Sequence, residues 1–134
     1  MAKIIIDASG GSFGRICSYA AKQALEDNEI IVLNSEKAVI SGNKKEIISK
    51  HRELKQKGGH SRKGPKYIKI AYKILKRGIR GMLPDHRRGQ GKKAFLKIKC
   101  HNGIPEEFKE MEMKKIQGPR HNKYISLKEL VEKI

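Results

Sequence analysis

Two short β-branched runs on either side of one amphipathic segment restrict this chain more than any other feature. Lys3-Ile4-Ile5-Ile6-Asp7 and Glu29-Ile30-Ile31-Val32-Leu33-Asn34 are continuously apolar at their centres, the pattern of strands covered on both faces. Between them, Ala8-Ser9-Gly10-Gly11-Ser12 supplies turn chemistry. Phe13, Ile16, Cys17, Ala20, Ala21, Ala24 and Leu25 then recur at helical spacing, with Arg15, Ser18, Lys22 and Glu26 facing away. Asp27-Asn28 ends that helix. A strand, an amphipathic helix and a second strand close as a right-handed βαβ unit with parallel strands, so the fold class is α/β.

The rest of the chain carries weaker signals. Asn43 with Glu46 predicts a capped helix running to about Lys57, with Ile47, Ile48, His51 and Leu54 on its apolar side and Gly58-Gly59 as its stop. Residues 60–66 read as a basic loop. Tyr67 to Arg77 reads as a helix with Ile70, Ala71, Ile74 and Leu75 inward and Gly78 as a left-handed stop. Asp85 to Lys93 reads as a second basic stretch, and Ala94 to Cys100 as a strand placing Ala94, Leu96, Ile98 and Cys100 on one face. The segment 106–115 fits no pattern. Ser126 with Glu129 opens a short last helix that buries Leu127, Leu130 and Val131 or Ile134. At 134 residues, one core is expected, with residues 1–134 forming a single domain.

Charge is distributed very unevenly. Residues 50–93 hold 16 Lys or Arg against Glu53 and Asp85, a net +14, whereas the other 90 residues hold 15 basic and 12 acidic side chains, a net +3. A solvated surface would mix the signs, so this segment is expected to face a polyanion. Arg62-Lys63-Gly64-Pro65-Lys66 and Arg87-Arg88-Gly89-Gln90-Gly91-Lys92-Lys93 combine forked or point donors with glycines that let backbone approach a phosphate. A membrane-surface helix would need bulky aromatic residues opposite its charges, and no run of about 18 apolar residues could span a bilayer. No membrane partner is therefore expected. Zinc-finger spacing, a basic region feeding a leucine heptad and an aromatic stacking signature are all missing, which favours folded RNA recognised by shape and backbone. The N-terminus lacks the features of a secretory signal, so a cytoplasmic location is expected. In that reducing setting Cys17 and Cys100 read as buried thiols.

The enzyme alternative rests on the turn Gly10-Gly11-Ser12-Phe13-Gly14, which follows a strand and opens a helix, with Glu36 at the end of the next strand. Dinucleotide sites place a phosphate at such a helix start and an acid near the ribose. The spacing here is G-G-x-x-G, and Arg15 enters the first helical turn, where its charge opposes the helix dipole. A tight structural turn is the preferred reading. The five histidines show no paired spacing, and the acidic run Glu106, Glu107, Glu110, Glu112 reads as a solvated face. No catalytic residue, cofactor or metal is expected.

Four separated motifs then point to a family. Ile6-Asp7-Ala8 with Phe13-Gly14-Arg15-Ile16-Cys17-Ser18 resembles its opening "D-A-x-G-x-x-L-G-R-L-A-S", Phe13 standing for the usual Leu and Cys17 for the usual Ala. Asn34-Ser35-Glu36-Lys37-Ala38-Val39-Ile40-Ser41-Gly42 resembles "N-A-E-x-A-x-I-S-G". Ile79-Arg80-Gly81-Met82-Leu83-Pro84, followed by Arg88-Gly89, resembles "V-R-G-M-L-P" with its R-G. Leu96-Lys97-Ile98 with Asn102-Gly103-Ile104-Pro105 resembles "L-K-V…G-I-P". In order and in register, they resemble ribosomal protein thirteen of the large subunit in its archaeal form, over roughly Lys3 to Pro105.

The resemblance implies an α/β/α layered domain with a four-stranded, mainly parallel sheet. It also implies a structural, non-enzymatic constituent of the large ribosomal subunit that joins early in assembly, with large-subunit rRNA and neighbouring ribosomal proteins as partners. Its hallmark positions are Gly14 and Arg15 together with Arg80, Gly81, Met82, Leu83 and Pro84. For phosphate contact the charge map nominates Arg62, Lys63 and Lys66, then Arg77 and Arg80, then Arg87, Arg88, Lys92 and Lys93; the resemblance supports Arg80 and Arg88 among them. The alternatives are a small nucleotide-binding enzyme built on the Gly10–Gly14 turn and a regulator that binds messenger RNA through the same surface.

Overall fold

The computed structural model describes residues 2–57, 68–120 and 123–134. Strands β1 (Lys3–Asp7) and β2 (Glu29–Leu33) pair in parallel, Lys3 opposite Glu29 through Asp7 opposite Leu33. Helix α1 (Phe13–Leu25) crosses between them. Two more strands extend the sheet, β4 (Ile98–Cys100) beside β2 and β5 (Lys114–Lys115) beside β1, both parallel. The order β4-β2-β1-β5 is a four-stranded parallel sheet, as the resemblance implied. A separate antiparallel pair joins β3 (Val39–Ser41) to β6 (Tyr124–Ser126).

Strand periodicity divides the core in two. Ile6, Ile30, Val32, Ile98 and Cys100 point to the face covered by α1, α3 (Ala71–Gly81) and α4 (Gly89–Leu96). Ile5, Ile31 and Leu33 point to the other, where a 3-10 turn at Glu106–Phe108 seats Phe108 over them. The segment without a sequence pattern thus supplies both this cover and β5. Each fully buried Ile or Leu contributes about 1.5–3 kcal/mol by leaving water. On α1 the expected stripe is buried at Ile16, Cys17, Ala20, Ala21 and Ala24. Leu25, placed on that stripe, is the last residue of the helix and is 44% exposed.

Helix α2 (Lys44–Gln56) begins at Asn43, whose side chain accepts from Lys45 N at 3.1 Å. The four residues expected on its apolar side, Ile47, Ile48, His51 and Leu54, are its half-buried ones. The last helix, α5 (Leu127–Lys133), starts at Ser126, whose hydroxyl accepts from Glu129 N, and it buries Leu127 and Leu130.

Four expectations between Tyr67 and Cys100 need correction. Gly78 does not stop α3, which starts at Ala71 and runs on to Gly81, adding Ile79 to its buried side. A Cβ at Gly78 would lie 2.7 Å from Phe13 Cζ and 3.0 Å from Cys17 Sγ. The glycine is there so that α1 and α3 can touch. Gly78→Ala is expected to lower stability by about 1–3 kcal/mol, the usual cost of overpacking, read from the midpoint of a urea melt.

The stretch 85–93 is not all loop, since α4 begins at Gly89. Gly91 was read as an approach to phosphate, but it approaches this chain's own backbone: a Cβ there would stand 2.3 Å from Asp85 O and 2.4 Å from Pro84 O. The strand begins at Ile98 rather than Ala94, which leaves Leu96 70% exposed. Gly91 and Ala94 are the buried residues of α4, three apart as helical spacing requires, and the apolar alternation from Ala94 to Cys100 concealed this.

Cys17 and Cys100 are free and buried. Burial pushes both thiols up to about 12 from 9.0; the neighbouring Cys100 adds to the effect at Cys17, whereas Lys76 opposes it at Cys100. In the native protein at pH 8 neither thiol should react with iodoacetamide, and both should react in denaturant, read by mass spectrometry. Because the folded thiols ionise later than the unfolded ones, stability should fall as pH rises from about 9 towards 12.

Candidate nucleic-acid interface

The amphipathic helix α3 carries most of the site. Its apolar residues Ala71, Ile74, Leu75 and Ile79 face the core, which turns Lys73, Lys76, Arg77 and Arg80, at i, i+3, i+4 and i+7, to one outer side. That side forms one wall of a cleft of about 700 Å3. His51 and Leu54 of α2, Phe95 of α4, Phe13 of α1, and Ile68 and Arg87 from the flanking segments complete its lining. Among the described residues, five cations therefore converge on the cleft and no carboxylate lines it. Among the described residues, Lys73, Lys76, Arg80 and Arg87 form no ion pair. Lys76 Nζ lies 5.0 Å from the Phe95 ring centroid, and the His86 ring meets Phe95 at a tilt, 6.0 Å between centroids. Burial, with the Lys50 charge adding to it, lowers the His51 pKa, so this imidazole is a neutral hydrogen-bonding group at physiological pH.

Of the nine nominated phosphate contacts, Arg77, Arg80 and Arg87 meet in this cleft. Arg88, Lys92 and Lys93 are exposed at the start of α4 but do not line it; Arg88 Nε lies 3.8 Å from Asp85 Oδ2. Arg62, Lys63 and Lys66 lie outside the described residues. Lys73 and Lys76 were missed, although the helical spacing of 73, 76, 77 and 80 was available to find them. Part of the basic segment serves the fold instead. Arg52 donates Nε and Nη2 to Lys133 O at 3.0 and 2.8 Å, and Lys55 Nζ donates to Ile134 O at 3.2 Å. Here α2 cations satisfy carbonyls at the end of α5.

The hallmark positions occupy two structural corners. Arg80-Gly81-Met82-Leu83-Pro84 is the end of α3, where Met82 N and Leu83 N donate to Ile79 O and Arg80 O and the chain folds back towards α4. This corner aims Arg80 into the cleft. The other corner is the C-terminal edge of the sheet. Asn34, at φ 56°, donates Nδ2 to Asp7 Oδ1 at 3.0 Å, and Asn34 N and Ser35 N donate to Gly103 O and His101 O. Gly14 and Arg15 are exposed at the start of α1, with Arg15 Nη1 donating to Gln117 Oε1 at 3.2 Å.

The same corner fails as a nucleotide site. Gly10 N donates to Lys37 O, Gly11 N to Ala8 O and Ser12 N to Gln117 O. Three amides of the turn are thus committed to the chain itself. Glu36, the acid proposed for a ribose, accepts from Gly103 N at 2.9 Å. The glycine turn is structural. Among the described residues no three of His, Cys, Asp and Glu are grouped to hold a metal ion, and no helix is long and apolar enough to cross a membrane.

Comparison with known proteins agrees with this geometry. The family described as "Ribosomal protein L13" matches residues 2–107. The large ribosomal subunit protein uL13 of Methanosarcina barkeri is 40% identical over 136 residues, covering 97% of this chain and 96% of its own length. The protein of the same name from Archaeoglobus fulgidus is 36% identical over 132 residues, covering 94% and 83%. That of Methanococcus maripaludis is 38% identical over 130 residues, covering 95% and 93%.

Proposed function

Since the chain belongs to the ribosomal protein L13 family, a structural and non-enzymatic ribosomal family, we propose that it lies in the cytoplasmic large subunit and holds rRNA backbone through the cationic cleft between α2, α3 and α4. The observation that carries this reading is the convergence of Lys73, Lys76, Arg77, Arg80 and Arg87 on one cleft with no carboxylate among the described residues of its lining. A net charge of +17 opposes the compact state through self-repulsion, and neutralisation by phosphates relieves it. Recognition of folded RNA by backbone and shape suits a surface of this kind. The exposed Arg88, Lys92 and Lys93 at and within the start of α4 extend the cationic surface beyond the cleft, and Arg62, Lys63 and Lys66, outside the described residues, belong to the same proposal. Early entry into the assembling subunit, which the family resemblance implies, belongs to the same proposal, and the charge would speed encounter with bare rRNA.

Two measurements test the reading together. Crosslinking in native large subunits, with mapping of both partners, is expected to join rRNA nucleotides to α3 and to the Arg87 segment. Binding of the purified chain to large-subunit rRNA is expected to weaken linearly in log affinity against log salt, with a slope near −0.9 per phosphate contact for duplex-like sites. Crosslinks that map solely to the α5 side, or an affinity indifferent to salt, would overturn it.

A further inference from the structure

Backbone contact accounts for the cations of the cleft and the core accounts for Ile74 and Phe13, but neither explains the half-buried Leu54 and Phe95 or the exposed Ile68 on its wall. Phe13, Leu54, Ile68, Ile74 and Phe95 line the same space, and Ile68 is left 47% exposed to water. A site that met phosphates alone would gain nothing from apolar surface in its middle. The volume of about 700 Å3 lies within the roughly 300–1,000 Å3 of clefts that hold small organic ligands. Charge complementarity requires an anion at the mouth, and the wall requires a flat, largely apolar body beside it. A nucleotide has both. Bases freed from a stack are held on aromatic rings and guanidinium planes in RNA-binding proteins.

We propose that the cleft takes one unstacked nucleotide of the rRNA, its base against the Phe95 and Leu54 side and its flanking phosphates on Lys73, Arg77, Arg80 and Arg87. This rests on the RNA-binding reading above and adds to it the insertion of a base. Lys76, held over the Phe95 ring, stands where it can meet a phosphate or the edge of the base. His51 lines the same cleft.

The test uses the full chain in two arms. In the first, AMP, GMP, CMP and UMP are titrated, with inorganic phosphate as the reference, while the methyl signals of Ile68 and Ile74 are followed by NMR. At least one monophosphate should move both methyls further than phosphate does at the same concentration, and large-subunit rRNA should displace it. In the second, rRNA affinity is compared for the native chain, Phe95→Ala and Phe95→Trp, each checked for an unchanged far-ultraviolet spectrum. Phe95→Ala should weaken binding about 10-fold with the salt slope unchanged, because a stacking platform rather than a charge is lost; Phe95→Trp should retain the native affinity. Monophosphates that behave like phosphate, together with a neutral Phe95→Ala, would sink base insertion while leaving salt-dependent rRNA binding intact. Loss of rRNA binding by the native chain would instead sink the functional reading. A monophosphate that rRNA cannot displace, or a crosslink from the cleft to a neighbouring protein, would assign the cleft to another occupant and overturn the proposal.

Discussion

Reversing four cleft cations, Lys73, Arg77, Arg80 and Arg87, to Glu is expected to abolish incorporation into large subunits while the isolated chain still folds. All four line the cleft; Lys73, Arg77 and Arg87 are exposed and Arg80 is half-buried, so the substitutions leave the core of α3 untouched. Each phosphate contact contributes about 0.9 to the salt slope. Losing four should flatten the slope by about 3.6, and repulsion between the new carboxylates and RNA adds to the loss. At moderate salt the affinity should fall by about 1,000-fold or more. Filter binding to large-subunit rRNA over a salt series reads both quantities, and sedimentation of tagged protein with subunits reads incorporation. A control reversal of Lys22, Lys109 and Lys128, exposed and outside the cleft, should leave the slope nearly unchanged. Equal losses in the two sets would mean that net charge, rather than the cleft, governs binding.

Ile16→Asp is expected to leave the chain unfolded. Ile16 is fully buried on the stripe of α1 that meets the sheet and the other helices, and its Cδ1 lies 3.0 Å from the position of a Cβ on Gly11. The substitution removes an aliphatic side chain and sets a carboxyl group where the surroundings are apolar. Loss of the packing alone costs about 2–5 kcal/mol, judged from truncations of buried Ile or Leu, and burial of an unpartnered polar group adds several more. Domains of this size are stable by about 5–15 kcal/mol in total. Ile16→Val, which keeps the shape but for one methyl, should cost about 0.5–1.5 kcal/mol. Circular dichroism and urea melts separate the two. A cooperative, native-like melt for Ile16→Asp would show that this stripe is not the core.

Several features of the fold were legible because they rest on local periodicity. The βαβ opening was drawn to within a residue, since β-branched runs and a 3.6-residue stripe admit few other structures. The caps at Asn43 and Ser126 were equally readable, each being a side chain that bonds to a backbone amide two or three residues away. The cation pattern was legible as a density along the chain, which is how Arg77, Arg80 and Arg87 were nominated.

The amino-acid sequence alone determined the α/β class, the parallel pair at the start, the basic middle and the family. Tertiary structure alone decided which cations share a cleft, that Arg52 and Lys55 turn away to hold the end of α5, and that Gly78 and Gly91 serve contacts within the chain. It also decided that residues 106–115 supply both a cover for the sheet and an edge strand. The physical reason is range: helix and strand periodicity act over a few residues, so they are written locally. A cleft, a close helix crossing or a spent hydrogen-bond donor depends on partners tens of residues away, and these are fixed only when the core closes.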